Sequence, residues 1–160
     1  MNSDKNLEVA KSYFTAFREG DPWSIIPKVY KEDVEYLCFS SVEMCPETKE
    51  AIPWAGLWKG HQGVADFQKM LNSNFDILEF DDRYYVAKEE HVGIFGNFKF
   101  RIKSNQKVLK CDFAVHMQFR EGKVAKYHFY EDTYAVAASF RQGGTWEIEN
   151  NGLYRKLPAA

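Results

Sequence analysis

Residues 108–140 constrain the fold of this chain more than any other stretch. Apolar and polar side chains alternate over two runs, 108–119 and 124–131, which predicts two long β-strands joined by a tight turn at Glu121-Gly122. At the end of the second run the period changes to that of a short apolar helix. At this change of period, Glu131 brings a carboxylate to the edge of an apolar interior.

The register of this hairpin decides which side chains face inward. A plain two-residue turn at Glu121-Gly122 would pair residues whose numbers sum to an odd value, whereas a bulge at the glycine makes the sum even. Because only the even register keeps the apolar side chains together, we expect the bulged turn. The inward face then holds Cys111, Phe113, Val115, Met117, Phe119, Tyr127, Phe129 and Glu131.

A third strand extends the same apolar face. Residues 91–103 alternate in the same way, with Val92, Ile94, Gly96, Phe98, Phe100 and Ile102 on one side. Glu131 is then the only carboxylate on an apolar face of three strands. Such surroundings disfavour the charged form, so we expect a raised pKa that suits a general acid or base near pH 7. The alternatives are a solvated position at the rim, an arginine partner, or hydrogen bonds that hold the adjacent loop.

Two helices are predicted before the first strand. Leu7, Ala10, Phe14 and Phe17 recur at helical spacing, which predicts an amphipathic helix capped by Ser3 or Asp4 and stopped at Gly20. Asp21-Pro22 then predicts the start of a second helix, with aspartate as the N-cap and proline at the first helical position. We expect these helices to pack on the apolar sheet face.

The middle of the chain predicts a strand, a long loop and a further helix. A β-rich run at 34–39 turns Tyr36 and Cys38 inward. Residues 40–60 show no period but contain bulky apolar side chains, so we expect either a cover over one end of the core or a well-packed structural loop. A helix through Val64, Phe67 and Leu71 follows, then strands at 75–79 and 84–89 with a bend or bulge at Asp81-Asp82.

Net charge, hydropathy and cysteine spacing limit the classes of partner and the cellular environment that we expect for this protein. A net charge of -2 gives no broad positive field, which argues against nucleic acid, and no apolar run approaches the ~18 residues of a membrane span. Three cysteines without CxxC spacing argue against a disulfide framework and a zinc site, so we expect reduced thiols in a soluble, cytoplasmic protein. The 16% of aromatic residues fits a domain that encloses a cavity as well as one with a dense core.

Four segments resemble the nuclear-transport-factor-2-like superfamily, and within it the SnoaL-like, ketosteroid-isomerase-related proteins. They are YKEDVEY at 30–36, PWAG at 53–56, EGKV at 121–124 and YEDT at 130–133. The resemblance covers residues 7–140. It implies an α+β fold, a cone-shaped barrel of a curved antiparallel sheet wrapped around N-terminal helices, with a hydrophobic pocket between them. It also implies a homodimer joined through the outer sheet face. We expect one SnoaL-like domain over residues 1–144 and a C-terminal tail over 145–160.

A comparison of this chain with known active sites of the superfamily argues against two activities. The position of the catalytic aspartate of ketosteroid isomerases holds Cys38. The Asp-Arg-Asp set of limonene epoxide hydrolases falls on Phe98, Gly96 and Phe129, although Tyr36 matches the water-binding tyrosine of that family. Both activities are therefore disfavoured.

The predicted site combines a carboxylate, tyrosines and an apolar lining. Glu131 and Tyr36 are the catalytic candidates, since an inward Tyr36 or Tyr127 can donate a hydrogen bond to a developing oxyanion. The predicted ligand-binding residues are Cys38, Trp54, Trp58, Phe98, Phe100, Phe113, Tyr127 and Phe129. Asp132 is predicted to cap the last helix. The outer-face set of Asp112, His116 and His128 is predicted to be structural, and we expect neither metal nor cofactor.

Three functions stay open at this stage. The first is a cofactor-free isomerase, cyclase or dehydratase that acts on a small hydrophobic carbonyl compound. The second is a non-catalytic binding protein for a small hydrophobic ligand. The third is a dimeric scaffold, which becomes the leading interpretation if Phe98, Phe113 and Phe129 fill the interior.

Overall fold

The structure is a computed structural model that describes residues 2–39 and 52–143. The elements of this part of the chain are α1 (Asn2–Arg18), α2 (Ile26–Val29), β1 (Tyr30–Cys38), β2 (Gly56–Lys59), α3 (Gly60–Asn74), β3 (Phe75–Lys88), β4 (His91–Ile102), β5 (Val108–Arg120), β6 (Lys123–Glu131) and α4 (Thr133–Phe140). The predicted tail at 145–160 and residues 40–51 of the predicted loop lie outside the described residues. The single domain at 1–144 stays a prediction.

The strands form one curved sheet in the order β2-β1-β6-β5-β4-β3. Neighbouring strands are antiparallel except β1 and β6, which run parallel. Helix α1 packs against β3 and β4, and α3 packs against β1, so the core lies between the helices and one sheet face. This confirms the predicted α+β cone, with the difference that the described strands leave it open between β2 and β3. No helix among the described residues is long and apolar enough to span a membrane.

The structure confirms the predicted register of the β5–β6 hairpin but not its cause. Phe113 lies opposite Glu131, an even sum. Glu121 and Gly122 form a two-residue turn in which both residues have positive φ, 54° and 76°, as a type I′ hairpin turn requires. The extra residue lies inside β6 at Ala125, where the register shifts. The bulge is therefore in the strand and not in the turn.

A glycine lets β3 bend over β4. The two short strands predicted at 75–79 and 84–89 are one continuous strand, and its register shifts between Asp81 and Tyr84, which confirms a bulge there. A Cβ at Gly96 would overlap the carbonyl oxygen of Asp81 and lie 2.9 Å from Cε1 of Phe113. The missing side chain is therefore what permits this close approach of backbone to backbone.

Both predicted helix starts are wrong. Helix α1 begins at Asn2, so Ser3 and Asp4 already lie within the helix and neither can cap it. Helix α2 begins at Ile26, with a proline in its first turn where the missing N–H costs nothing. Asp21 instead accepts a hydrogen bond in the preceding turn, at 3.3 Å from the backbone nitrogen three residues later. The Asp-Pro pattern marked a turn and not a helix.

Part of the predicted long loop is a strand. Strand β2 pairs antiparallel with β1, and Trp58 lies opposite Tyr36. Trp54, directly before this strand, is 2% exposed and packs on Phe75 and Phe140 with ring centroids 5.2 and 5.3 Å apart. The described end of the segment is therefore packed on the core, which agrees with both predicted alternatives.

Candidate functional site

A cavity of about 40 Å³ lies between the inner sheet face and helices α1 and α3. Six of the predicted ligand-binding residues line it: Cys38, Trp54, Phe98, Phe100, Tyr127 and Phe129. A buried water needs roughly 10 to 15 Å³ of cavity volume, so this cavity has room for about three waters. The aromatic rings therefore do not fill the interior completely, but the space left is well below the ~300 Å³ of an ordinary small-molecule site.

Two predicted ligand-binding residues lie outside this lining. Trp58 is half-buried on β2, and its indole N–H donates to the carbonyl oxygen of Trp54 at 2.9 Å. Phe113 packs against Phe129 and Phe80, with ring centroids 5.5 and 4.7 Å apart. Both side chains therefore support residues of the lining without being part of it.

Glu131 is the last residue of β6, and its side chain lines the cavity. Within the described part of the chain, the carboxyl group of Glu131 has no hydrogen bond and no ion pair, so the arginine partner that the sequence left open is not found there. Burial raises the pKa of Glu131 from 4.5 to about 8, and the neighbouring charge of Asp132 adds to this increase. Most of the carboxyl is then neutral at pH 7. Such a group can give up a proton at pH 7 and accept one once it ionises.

Tyrosine side chains form a second polar region of the lining. The rings of Tyr36 and Tyr127 stack at 4.2 Å with 7° between their planes, and both side chains are 2% exposed. Tyr13 of α1 lies at 6.0 Å from Tyr127 between ring centroids. Burial raises the pKa of all three hydroxyls, so they remain neutral hydrogen-bond donors at physiological pH.

Sequence reasoning missed Tyr13 and Gln68, which both line the cavity. Gln68 Nε2 donates to the hydroxyl oxygen of Tyr13 at 2.6 Å, and the two side chains are each 1% exposed. A signal existed, because Gln68 is four residues after Val64 and three before Leu71. Helical spacing therefore places it on the apolar face of α3.

The two polar regions lie at different places along β6. Tyr127 and Glu131 point to the same side of this strand and are four residues apart, which corresponds to roughly 13 Å between their Cα atoms. Tyr36 lies beside Tyr127 on the parallel strand β1, and Phe129 with Cys38 occupies the next inward pair. The site is therefore elongated, with tyrosine hydroxyls at one end, a carboxyl at the other, and apolar surface between them.

Neither Cys38 nor Cys111, the two cysteines in the described part of the chain, is activated as a nucleophile. Burial raises the pKa of the Cys38 thiol well above its usual value, and the charge of Glu131 raises it further. Burial likewise raises the pKa of Cys111 to about 11. Both thiols are free. Because the thiolate is the reactive form, neutral buried thiols of this kind contribute packing instead of chemistry.

The outer sheet face carries three of the four histidines. His91 Nδ1 and His116 Nε2 are 2.9 Å apart, and His128 Nε2 donates to the carbonyl oxygen of Phe39 at 2.6 Å. Burial lowers the pKa of His116 and of His128. No group of three or more histidine, cysteine, aspartate or glutamate side chains that could hold a metal ion occurs in residues 2–39 and 52–143.

Asp132 has the structural role predicted for it. Its side chain accepts a hydrogen bond from the backbone nitrogen of Ala135 at 3.0 Å, and its backbone is extended, as at an N-cap. Glu131 and Asp132 are adjacent in sequence, but one lines the cavity and the other caps α4.

Comparison with known proteins establishes the fold class. No protein-family model and no curated protein sequence matches this chain. An NTF2-like protein from Burkholderia xenovorans LB400 is similar in structure, with a TM-score of 0.72, 23% identity, and coverage of 87% of this chain and 98% of that one. TerC, crystallised with polyporic acid, has a TM-score of 0.71 and 20% identity over 84% of this chain and 97% of its own.

A third similar structure has a related name. A protein from Jannaschia sp. CCS1 assigned as a SnoaL-like polyketide cyclase has a TM-score of 0.72 and 9% identity, covering 89% of this chain and 95% of its own. Such low identities define a fold and not an activity. The chain thus has the NTF2-like fold, in agreement with the resemblance read from the sequence.

Proposed function

We propose that this protein is a cofactor-free acid–base catalyst of the isomerase, cyclase or dehydratase kind. Its substrate is a small hydrophobic carbonyl compound, and Glu131 is the group that moves the proton. The observation that carries the proposal is the environment of Glu131, a carboxyl without an ion pair in the described residues that lines an apolar cavity and has a pKa of about 8. A carboxyl tuned in this way transfers protons efficiently near neutral pH.

The reaction needs a base, a polarising donor and a conjugated substrate. Ionised Glu131 takes a proton from a carbon activated by the carbonyl group, and the resulting negative charge moves to the carbonyl oxygen. Tyr36 donates a hydrogen bond to that oxygen, and neutral Glu131 then returns the proton to another position of the substrate. Because Tyr36 and Glu131 lie at opposite ends of the site, the carbon and the oxygen must belong to one extended conjugated system.

Substrate entry requires the cavity to grow. Its volume of about 40 Å³ is too small for a ring compound. Rings such as Phe98 and Phe100, whose centroids stack at 4.2 Å, must move aside together. TerC, which shares the fold, was crystallised with polyporic acid, and this supports a small-molecule role for the present cavity.

Proton exchange tests this function without knowledge of the natural substrate. A panel of cyclic ketones and enones is incubated with the protein in heavy water, and deuterium incorporation is followed by NMR. We expect exchange with the wild type and a loss of at least about 100-fold in Glu131→Gln. Asp132→Asn is the matched control: it keeps the helix cap and removes only the charge that adds to the raised pKa of Glu131, so it should retain exchange at a rate equal to or above that of the wild type at pH 7. Equal rates in wild type and Glu131→Gln would reject the assignment.

A non-catalytic binding protein is the second candidate. The separation of roughly 13 Å between the Cα atoms of Tyr127 and Glu131 favours it, because it keeps the tyrosine hydroxyls among the described residues from assisting the carboxyl directly. Mass spectrometry of compounds that co-purify with the protein separates the two candidates. Recovery of an intact hydrophobic compound that stays unchanged on incubation supports binding alone, and its conversion supports catalysis.

We also infer that two copies of the chain associate through the outer sheet face. Tyr84, Phe95, Ala114 and Tyr130 pair across four adjacent strands and therefore form one row on that face. The three aromatic side chains of the row are 66%, 47% and 40% exposed in the single chain. Burying such a row against a second copy is favourable. The free thiols support a cytoplasmic location, which cell fractionation tests.

A further inference from the structure

The carboxamide of Gln68 is a buried polar group of the cavity that the proposed proton transfer does not use. The side chain is 1% exposed and lines the cavity from α3. Its Nε2 donates to the hydroxyl oxygen of Tyr13 at 2.6 Å. Its Oε1 is buried and accepts no hydrogen bond from any residue that the structure describes. The nitrogen of the carboxamide is therefore paired within the protein, whereas its oxygen is buried without a donor in a side chain that lines the cavity.

A purely structural role does not explain this arrangement. A buried acceptor without a donor is costly, and an apolar side chain of similar length would fill the same position on α3 without that cost. The hydroxyl of Tyr30 is also buried without a partner in the described residues, but it does not bond to Gln68 and does not line the cavity. In the empty protein the cavity has room for about three waters, one of which can donate to Oε1.

The contact with Tyr13 uses the nitrogen of the carboxamide. Nε2 of Gln68 donates to the hydroxyl oxygen of Tyr13, which leaves Oε1 as the acceptor of the carboxamide that has no donor among the described residues. Gln68 therefore presents an acceptor, and the complementary ligand group is a donor. The surrounding rings of Tyr36, Phe67 and Tyr127, with centroid distances of 4.2 and 4.7 Å between neighbours, offer flat apolar surfaces to the part of the ligand that carries this donor.

We propose that Gln68 Oε1 determines specificity by accepting a hydrogen bond from a ligand hydroxyl group, and that the ligand class is a flat, hydroxylated, conjugated ring compound. This inference rests on the proposed function in naming the substrate class of the same site. The hydroxyl binds at the tyrosine end of the site, and the rest of the ring system extends towards Glu131. The bound hydroxyl takes the place of a water molecule that donates to the same oxygen.

Two probes that differ in one hydrogen-bond donor test this proposal. 2-Naphthol and 2-methoxynaphthalene have the same ring system, but only the first can donate, and calorimetry measures both dissociation constants. We expect the wild type to bind 2-naphthol about tenfold more tightly than the ether, because the ether leaves Oε1 unpaired. Gln68→Met, which keeps the length of the side chain, should abolish this preference. Gln62→Met on the exposed side of the same helix is the matched control and should retain it.

Three results would overturn the proposal: equal affinities of the wild type for the two probes, an unchanged preference in Gln68→Met, or no binding of either probe. If Gln68→Met does not fold, Gln68→Leu replaces it, and the wild-type preference alone remains a test. Catalysis is not needed for this measurement. If Gln68→Met loses the preference and the wild type catalyses no proton exchange, the inference stands and the enzymatic function is rejected. If the wild type catalyses exchange that depends on Glu131 but shows no preference for the hydroxyl probe, only the inference is rejected.

Discussion

Replacing Glu131 by glutamine should change how the stability of the protein depends on pH. In the folded protein the carboxyl stays neutral up to about pH 8, whereas in the unfolded chain it ionises near its ordinary pKa of 4.5. Between these values the folded state binds more protons than the unfolded state, so this group makes the free energy of unfolding fall as pH rises. Its stabilising contribution is complete below pH 4.5 and is lost by pH 8.

The magnitude follows from the size of the pKa shift. Each pH unit inside this window changes the free energy of unfolding by roughly 1.4 kcal/mol, so the contribution of Glu131 should fall by about 3 to 4 kcal/mol between pH 5 and pH 8. Glutamine has a similar shape and stays neutral. We therefore expect Glu131→Gln to become progressively more stable relative to wild type over this range, with little further change above pH 8.

Urea unfolding of both proteins at pH 5, 6, 7, 8 and 9 measures this difference. Burial lowers the pKa values of His116 and His128, but both histidines are present in both proteins, so any contribution of their titration cancels in the difference. Asp132→Asn is the control: it keeps the titrating carboxyl of Glu131 and removes only the smaller cause of its raised pKa, so its difference from wild type should change much less with pH. A stability difference between Glu131→Gln and wild type that stays constant within about 0.5 kcal/mol from pH 5 to pH 9 would show that the pKa of Glu131 is not raised in the folded protein.

Three further predictions concern the fold and the assembly. Gly96→Ala should destabilise the protein by about 3 kcal/mol because its Cβ overlaps backbone, whereas Gly93→Ala, with its nearest neighbour at 3.5 Å, should cost little; similar urea midpoints for the two would contradict the packing described. Asp132→Ala should lower the free energy of unfolding by about 1 kcal/mol, and Asp132→Asn should largely preserve it; equal losses would argue against the cap. Phe95→Asp should convert a dimer into a monomer in sedimentation at micromolar concentration, and a wild-type monomer would reject the outer-face interface.

The sequence predicts the sheet better than the elements that depend on tertiary contacts. Strict alternation places Glu131 inward and fixes an even register, because an odd register would expose half of the apolar side chains. The same alternation does not say where the extra residue lies, and the bulge is at Ala125 and not at Gly122. Strand β2 was missed because a segment of four residues gains its conformation from pairing with β1, which no local pattern reveals.

The candidate site was likewise predicted only in part, because period identifies inward side chains but not their tertiary contacts. Six of the eight predicted ligand-binding residues line the cavity, and the strand period identified five of them: Cys38, Phe98, Phe100, Tyr127 and Phe129. Period alone is not sufficient, because Phe113 is inward but lies outside the lining. The two tryptophans were predicted from their bulk, and only Trp54 lines the cavity. Gln68 was missed because its partner, Tyr13, is 55 residues away in the chain, and a polar residue on an apolar helix face carries no sign of the hydrogen bond that buries it.

The pH dependence of proton exchange shows whether Glu131 is the group that takes the proton. If ionised Glu131 is the base, the rate of deuterium incorporation into a cyclic enone should rise with pH, level off above about pH 8 and be lost in Glu131→Gln. The levelling point reports the pKa of the carboxyl that takes the proton. A rate that is independent of pH between 6 and 9, or one that Glu131→Gln retains, would contradict the account.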